Sequence, residues 1–333
     1  MKQESTVSIV MCTYNGAKYI KEQIESIIHQ SYPIHELIIQ DDGSTDDTLR
    51  IVRAYAERYP FIHVYRNEGP RGVNSNFYSA MRKATGDFIA ISDQDDIWEA
   101  RKIEWQVESI GDAWLSAGIT KPFVDGTDMR AEAYFDDRVP NICLERMMYS
   151  AMIAGHTMMI RREFLDKLFS LSDWIDRYMY DHFIQIVAGA YERISYIHKV
   201  LVHQRKHIGS ATYTAPLDYS RGISNIYRAV LRTYRQYKQI NPKMRVYFRQ
   251  TYMLLNAIPA DTPSKENGMR LARYQSGNAL TDRVKLTILC VKLRNRMCYS
   301  KEKRSLFSLG RAIYFPIACS DYFRYMAQDT TTA

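Results

Sequence analysis

The sequence predicts an α/β fold, with a mostly parallel sheet that carries helices on both faces and a helical extension towards the C-terminus. Short apolar runs alternate with helix-like stretches through the first hundred residues, and polar strings follow several of these runs. The 333 residues are 46% hydrophobic and 12% aromatic. This composition is typical of a globular protein with a substantial core.

The elements of the first hundred residues follow from the spacing of their apolar side chains. Val7 to Cys12 is a β-prone run, and Ile20, Ile24 and Ile27 recur on one helical face. Ser44 or Thr45 can cap a further helix. The expected strands are 7–12, 37–39, 63–65 and 88–91, and the expected helices are 17–30, about 45–56 and 74–84. This βαβαβαβ order indicates parallel strands.

The pattern is less regular beyond residue 150. An apolar strand is expected from Ser150 to Ile160, and a helix is expected to begin near Trp98. Helices are further expected at 163–169 and 181–191, and strands at 193–197 and 200–203. Residues after 217 look mainly helical, with breaks at Pro242 and between Ile258 and Gly268.

Charge divides the chain into two predicted domains, 1–216 and 217–333. The second contains 21 Lys and Arg against 7 Asp and Glu, a balance of +14, which leaves −6 for the first. A basic, Tyr- and Arg-rich segment can meet an anionic membrane surface or nucleic acid, or be a solvated face. No nucleic-acid-binding motif is found, so nucleic acid is not an expected partner.

The cysteines and the N-terminus predict a cytoplasmic protein. The five cysteines are scattered and show no CxxC spacing, which favours neither a disulfide framework nor a zinc site. Residues 1–6 are polar and lead directly into a strand, so no secretory signal is expected. No run approaches the ~20 apolar residues of a membrane-spanning helix.

Three polar strings follow predicted strands: Thr13-Tyr14-Asn15, Asp41-Asp42-Gly43-Ser44, and Asp93-Gln94-Asp95-Asp96. In an open parallel sheet the ligand crevice lies beyond the carboxyl ends of the strands. We therefore expect the three strings to converge on one rim.

The Asp93-Gln94-Asp95-Asp96 string predicts a site for Mg²⁺ or Mn²⁺. These hard cations bind through one or two carboxylates and are completed by substrate phosphates. A solvated turn, with Asp95 or Asp96 capping the following helix, is the alternative. Asp41 and Ser44 suit a turn and helix cap, while a carboxylate at the crevice rim can also accept the imide N–H of uracil or thymine.

Five motifs together resemble the GT-A fold, family 2 inverting glycosyltransferases, over residues 6 to about 115. They are Thr13-Tyr14-Asn15, Asp41 to Asp46, Gly72 with Asn74 and Asn76, Ala84 to Asp87, and Ser92 to Trp98. The last is especially similar to the bacterial rhamnosyltransferase-like branch. Weaker similarity extends to about residue 212, where His156 departs from the usual Gly-Cys-Thr string.

The resemblance implies roles for particular residues. Asp181 would be the catalytic base, although it can also be a helix cap. Asp96, ranked first, would bind Mn²⁺ or Mg²⁺ with Asp95 or Asp93, and His207 would be a third ligand, a diphosphate donor or a packed surface histidine. Arg71 can pair with phosphate or be an exposed loop charge. The expected nucleotide-sugar-binding residues are Thr13, Tyr14, Asn15, Asp41, Asp42, Arg71, Gly72, Asn74, Asp93 and Asp95.

The implied function is transfer of a sugar from dTDP-rhamnose or a UDP-sugar to a hydroxyl of a glycan acceptor, expected to be lipid-linked, in bacterial surface polysaccharide synthesis. Peripheral membrane binding through the basic region would fit. A sugar nucleotidyltransferase is the enzymatic alternative, but Thr13 to Ala17 lacks a basic, glycine-rich phosphate loop. The non-enzymatic alternative is a saccharide- or nucleic-acid-binding protein with a structural metal.

Overall fold

The structure is a computed structural model that describes residues 5–125, 141–207, 223–297, 305–320 and 323. The chain forms two compact units. The first comprises Met1–Phe135, Ile153–Ala188 and Arg193–Tyr213, and the second comprises Asp136–Met152, Gly189–Glu192 and Thr214–Ala333. The predicted boundary at residue 216 lies outside the described residues, and two short inner segments join the second unit, which the sequence did not indicate.

The first unit contains an eight-stranded sheet in the order β3-β2-β1-β4-β7-β6-β8-β5. Its strands are β1 Val7–Thr13, β2 Glu36–Asp41, β3 Ile62–Arg66, β4 Phe88–Ser92, β5 Ile97–Trp98, β6 Leu115–Phe123, β7 Met159–Arg161 and β8 Ile194–Arg205. β1 to β4 pair in parallel, as do β6 and β8, whereas β7 runs antiparallel to β4 and β6, and β5 runs antiparallel to β8. The predicted mostly parallel α/β fold is confirmed.

The helices alternate with strands in the first half of the chain and follow one another in the second. They are α1 Ile20–Ile28, α2 Thr48–Arg58, α3 Val73–Lys83, α4 Lys102–Ser109, α5 Leu144–Met147, α6 Arg162–Phe169, α7 Ser172–Ile175, α8 Tyr180–Ala190, α9 Ile223–Ala257, α10 Pro263–Ser276, α11 Leu280–Lys292, α12 Arg294–Met297 and α13 Ser305–Ala318. The predicted helical extension after residue 217 is also confirmed.

β1, β2 and β4 lack a polar face because they lie in the core of the first unit. Every residue of β2 and β4 is buried, as is all of β1 except Cys12. Strands covered by helices on both faces read as continuous apolar runs. Ile20, Ile24 and Ile27 of α1 pack into this core at the predicted spacing.

Two predicted elements near the site were wrong in position or length. Trp98 ends the short strand β5, which pairs with β8, and the next helix begins only at Lys102. The strand expected from Ser150 is confined to Met159–Arg161, because a single 3₁₀ turn at Gly155–Thr157 precedes it. A Cβ at Gly155 would lie 2.1 Å from the Tyr180 hydroxyl oxygen, so the turn depends on this glycine.

Two further differences have clear physical reasons. Pro242 does not break α9, because the helix has buried side chains both before and after the proline. Ile240 precedes it, and Met244 and Phe248 follow it. Their burial offsets the hydrogen bond lost at a helix-interior proline. Strand β6 was missed because its polar and small residues, Leu115 to Phe123, give little apolar periodicity.

Candidate active site

Three strand ends meet at one edge of the sheet, as expected for a parallel arrangement. Thr13 at the end of β1 lies beside Asp41 at the end of β2, and Met11 of β1 pairs with Ser92 at the end of β4. The loops beyond them surround a pocket of about 380 Å³. It is lined by Cys12, Thr13, Tyr14, Asp42, Val73, Asn76, Phe77, Asp93, Gln94, Asp95, Asp96, Met179, Tyr180, Gln204 and Arg205.

Asp41 organises the turn after β2 and is fully buried. One carboxylate oxygen accepts the backbone N–H groups of Gly43 and Ser44, at 3.0 and 2.9 Å. The other accepts the hydroxyls of Ser44 and Thr13, at 2.5 and 3.1 Å. Four donors from the protein occupy this carboxylate, and its predicted role in donor binding stays a prediction.

Asp42 lies at the pocket wall and joins two loops. Its carboxylate accepts the amide of Asn67 at 2.7 Å and the backbone N–H of Gly72 at 2.9 Å. Gly72 has φ +127°, which favours glycine. The exposed Arg71 guanidinium lies over the turn glycine Gly43, whose Cβ would be 3.0 Å from the Arg71 Nη2 atom.

The Thr13-Tyr14-Asn15 string is held by side chains from other loops. Asn15 has φ +49°, and its side-chain oxygen accepts the Thr45 backbone N–H at 2.9 Å. Gln94 accepts the backbone N–H of Tyr14 at 2.9 Å and donates to the Tyr14 carbonyl at 3.0 Å. The Tyr14 ring itself is 54% exposed and free to meet a planar ligand.

Asn74 fixes the segment that leads into α8 and therefore into Asp181. Its side chain donates to the carbonyl of Tyr178 at 2.7 Å and accepts the backbone N–H of Tyr180 at 2.8 Å. Burial raises the pKa of Asp181 to about 6, with the Asp93 carboxylate contributing and the backbone N–H of His182 opposing. Such a carboxylate ionises near neutral pH and retains appreciable basicity, which is what a general base requires.

Asp93, Asp96 and His156 bring three ligand atoms within 4.8 Å of one another. Nδ1 of His156 lies 3.1 Å from Asp93 Oδ2 and 3.3 Å from Asp96 Oδ2. The other ring nitrogen, Nε2, lies 2.9 Å from the Thr120 hydroxyl. Donation by Nε2 to Thr120 would leave the Nδ1 lone pair for a cation held with the two carboxylates, which is how a metal-ligating histidine has its tautomer fixed.

The electrostatics of this cluster favour a cation. Burial raises the pKa of Asp96 to about 7, with the carboxylates of Asp93 and Asp95 adding to the effect and His156 opposing it. Burial disfavours a charged His156, but Asp96 and Asp93 outweigh it and raise the pKa of this imidazole. Oδ2 of Asp96 is buried and accepts no hydrogen bond from the described residues. The donor set and this unsatisfied oxygen fit a hard divalent cation.

Asp95 and His207 form a separate pair beside this cluster. His207 Nε2 lies 2.8 Å from Asp95 Oδ2, and the His207 ring packs 4.8 Å from that of Tyr19. Burial raises the pKa of Asp95, while His207 opposes this. The predicted metal ligands Asp96, Asp95 and His207 thus lie in one loop region, but the three atoms that converge are those of Asp93, Asp96 and His156.

Arg205, the last residue of β8, holds the loop of Asp93 to Asp96 through hydrogen bonds. Its backbone N–H donates to Asp96 Oδ1 and its Nε to the carbonyl of Asp95, both at 3.0 Å. Its guanidinium also pairs with Glu22 at 2.7 Å and with Asp125. Because these acceptors use the guanidinium, Arg205 positions the carboxylates and does not neutralise them.

Four contributors to the site were not identified as site residues from the sequence. Gln94 was named within the carboxylate string but given no role, Arg205 was also given none, and His156 was noted only as a departure from the family string. A histidine in an apolar run was the available signal for the last. Thr120 on β6 had none, because that strand was not predicted.

Comparison with known proteins tests the resemblance directly. Residues 8–169 match the family described as glycosyl transferase family 2. Residues 8–169 of this chain, just under half of its length, belong to glycosyl transferase family 2. The family 2 match includes Asp41, Asp42, Asp93 and Asp96 and extends through His156, whereas Asp181 and His207 lie beyond it.

Three relatives of this family 2 protein differ in how much of each chain they share. A putative glycosyltransferase of Bacillus subtilis, EpsE, is 41% identical over 108 residues, which is 32% of this chain and 39% of EpsE. An uncharacterized glycosyltransferase of Rickettsia typhi, RT0329, is 25% identical over 94% of this chain and 98% of its own length. The Escherichia coli WfgD protein, named as a UDP-Glc:alpha-D-GlcNAc-diphosphoundecaprenol beta-1,3-glucosyltransferase, is 38% identical over 30% of this chain and 39% of WfgD.

Solved structures support the GT-A fold. S. aureus TarS 1-349 in complex with UDP-GlcNAc aligns with 96% of this chain and 91% of its own, at 18% identity and a TM-score of 0.53. The mannosyltransferase PcManGT from Pyrobaculum calidifontis, in complex with GDP-Man and Mn²⁺, aligns with 99% of this chain and 88% of its own, at 18% identity and a TM-score of 0.53. The family 2 protein therefore has the predicted GT-A architecture.

The structure also bears on the expectations about membrane-spanning helices and disulfide bonds. None of the helices in the described residues is long and apolar enough to cross a membrane. Cys12, Cys143, Cys290 and Cys319 form no disulfide bond, and Cys298 lies outside the described residues.

Proposed function

We propose that this family 2 protein is a divalent-metal-dependent, inverting glycosyltransferase that builds bacterial surface polysaccharide. The observation that carries the proposal is the convergence of Asp93 and Asp96, which line the pocket, with the buried His156, together with the electrostatic coupling of Asp181 to Asp93. Transfer with inversion needs one free carboxylate opposite a neutralised leaving diphosphate.

The proposed donor is a nucleoside diphosphate sugar, with dTDP-rhamnose and UDP-sugars as candidates. Asp42 lines the pocket and would accept the imide N–H of uracil or thymine, and the exposed Tyr14 ring would stack on the base. The names of WfgD and of the TarS complex support a UDP-sugar, whereas rhamnose rests on the branch resemblance alone.

Asp93, Asp96 and His156 are the residues proposed to hold Mn²⁺ or Mg²⁺, with Asp95 and His207 beside them. When bound, the cation would supply Lewis-acid neutralisation of the departing diphosphate. The Mn²⁺ in the PcManGT complex supports this assignment. Arg205 would hold the Asp96 carboxylate in position through its backbone N–H and the loop around it through a side-chain hydrogen bond to the Asp95 carbonyl.

Asp181 is proposed to accept the proton of the acceptor hydroxyl. The acceptor oxygen forms its bond to the anomeric carbon as the bond between that carbon and the diphosphate oxygen breaks, and the nucleoside diphosphate leaves. Asn74 holds the backbone before Asp181 by two hydrogen bonds, which fixes the position of the base.

The acceptor is proposed to be a lipid-linked glycan, and the protein to act in the cytoplasm at the inner membrane face. Two observations support this: the name of WfgD specifies a diphosphoundecaprenol-linked acceptor, and residues 217–333 carry a balance of +14. A basic region of this kind is attracted to anionic lipid.

Donor turnover tests the proposal. Purified full-length protein is incubated with Mn²⁺ or Mg²⁺ and a panel of dTDP-, UDP- and GDP-sugars, and both released nucleoside diphosphate and thermal stabilisation are recorded. We expect one donor class to stabilise the protein only with metal, and the effect to be lost in Asp96→Asn but kept in Asp112→Asn, whose side chain is 92% exposed. Failure of every donor to stabilise the folded protein would overturn the proposal.

A further inference from the structure

Helix α11 of the second unit carries an unusual exposed apolar stripe. Leu280, Val284 and Ile288 are spaced four residues apart and are 76%, 52% and 51% exposed. At 100° per residue they lie within one face of the helix, and the partly buried Val291 continues that face. The opposite face, with Leu286, Leu289 and Cys290, is buried in the unit.

Basic residues flank the stripe on both sides. Arg283 and Lys285 are exposed, as is Lys292 at the end of the helix. Residues 280–297 contain five Lys or Arg and one acid, Asp282. The Asp282 carboxylate is turned to the start of its own helix, where it accepts the backbone N–H of Ala279 at 3.3 Å. The other charged side chains of α11, Arg283, Lys285 and Lys292, are all cationic.

The adjoining helix shows the same tendency. α13 packs against α11 within the second unit, and its Leu309 and Ile313, one turn apart, are 36% and 49% exposed. Apolar side chains that cluster on exposed faces mark interaction sites more often than isolated ones do.

We propose that α11 docks this protein onto an anionic lipid surface, with Leu280, Val284 and Ile288 inserted among the headgroups and Arg283, Lys285 and Lys292 paired with lipid phosphates. An apolar stripe bordered by Lys and Arg is the pattern of helices that lie in a membrane interface. Charge complementarity selects the anionic surface over a neutral one. The inference rests on the proposed function, in which the acceptor is lipid-linked, and it assigns the membrane contact to named residues.

Vesicle co-sedimentation of the full-length protein tests the inference without donor, acceptor or metal. Vesicles of phosphatidylglycerol and phosphatidylcholine in equal amounts are compared with vesicles of phosphatidylcholine alone. We expect the partition coefficient to be at least tenfold higher on the anionic vesicles and to fall as salt is raised, because the ionic part of the attraction is screened.

The decisive variant is Val284→Glu combined with Ile288→Glu, which should lower partition onto anionic vesicles at least tenfold. Val246→Glu is the matched control, because Val246 is an equally exposed valine, at 56%, on α9 of the same unit and lies outside the stripe. It should change partition less than twofold. Circular dichroism and the thermal midpoint confirm that all variants are folded.

Charge-neutralising variants give a second, milder perturbation. Arg283→Gln with Lys285→Gln should weaken partition and flatten its salt dependence, while leaving α11 folded, since both side chains are exposed.

Two results would overturn the inference. One is equal partition of the wild type onto anionic and neutral vesicles, or none onto either; the other is unchanged binding by the stripe variant. Light scattering without lipid identifies a different occupant: loss of a dimer in the stripe variant would assign the face to a second copy of the chain. Donor stabilisation, measured separately, stays intact in all variants if the proposed function holds, so the two proposals can fail independently.

Discussion

Two carboxylate-rich turns at the same edge of the sheet differ in how far the protein satisfies their carboxylates with hydrogen bonds. After β2, the Asp41 carboxylate receives four hydrogen bonds from Gly43, Ser44 and Thr13. After β4, the Asp96 carboxylate receives one backbone N–H, and its second oxygen is buried without a hydrogen bond from the described residues. Burial raises the pKa of Asp96 to about 7.

The number of hydrogen bonds that each carboxylate accepts distinguishes a structural carboxylate from a ligand-binding one at this edge of the sheet. A satisfied buried carboxylate stabilises its own turn, whereas an unsatisfied one retains a desolvation cost that only a proton or a cation relieves. We therefore expect substitutions in the first turn to change stability and those in the second to change activity.

Asp96→Asn should have the largest effect on activity. The amide is nearly isosteric but cannot provide the anionic oxygen that a divalent cation requires, so donor turnover should fall by roughly 10³-fold or more. The thermal midpoint in EDTA should stay equal to or above that of the wild type, because a poorly solvated carboxylate is removed. Turnover within tenfold of wild type would place the cation elsewhere.

Asp181→Asn should lower turnover by roughly 10²–10⁴-fold, the usual contribution of a positioned general base. With a folded-state pKa of about 6 for Asp181, wild-type turnover should fall as the pH drops through 6, because the base becomes protonated.

The same substitution should stabilise the protein at high pH. The raised pKa means that the ionised Asp181 favours the unfolded state, so its stabilising protonated form is lost as the pH rises through about 6. Denaturant titration should show Asp181→Asn more stable than wild type by up to roughly 2–3 kcal/mol at pH 8 and by much less at pH 4. A destabilised variant at pH 8 would contradict this account.

Asn74→Ala should reduce turnover by an intermediate factor, roughly 10- to 100-fold, because the backbone of Tyr178 and Tyr180 loses both side-chain hydrogen bonds and Asp181 is no longer held in position. The thermal shift with donor and metal should match that of wild type. A loss of donor binding equal to the loss of turnover would instead assign Asn74 to the donor, as the sequence predicted.

Asp41→Asn should have the smallest effect on turnover and a clear effect on stability. The amide replaces one acceptor with a donor that faces backbone N–H groups, at a cost of about 2 kcal/mol in unfolding free energy. Donor affinity of the folded protein should change less than about threefold. A tenfold loss of affinity with unchanged stability would show that Asp41 binds the donor.

Much of the fold followed from the sequence because buried parallel strands leave a strong signal. Ile38 and Ile89 lie in runs without a polar face, and the Asp strings at their ends located the pocket edge. Segments whose shape depends on long-range contacts were the ones predicted wrongly. Trp98 joins β8, more than a hundred residues away, and Gly155 turns the chain against Tyr180.

The site was predictable in type more than in atomic detail. The Asp93 to Asp96 string identifies a carboxylate loop, but not which oxygens converge. That depends on a 3₁₀ turn which places His156 against Asp93 and Asp96, and on Arg205, which fixes the loop from β8. Sequence spacing alone contains neither contact.

Pulsed electron paramagnetic resonance of bound Mn²⁺, in the presence of UDP, can identify the residues that hold the cation. If Asp93, Asp96 and His156 hold the cation, a nitrogen coupling from one histidine should appear in the wild type, persist in His207→Gln and disappear in His156→Gln. Loss in His207→Gln with persistence in His156→Gln would contradict the account and establish the set of Asp95, Asp96 and His207. A wild-type signal without nitrogen coupling would contradict both sets.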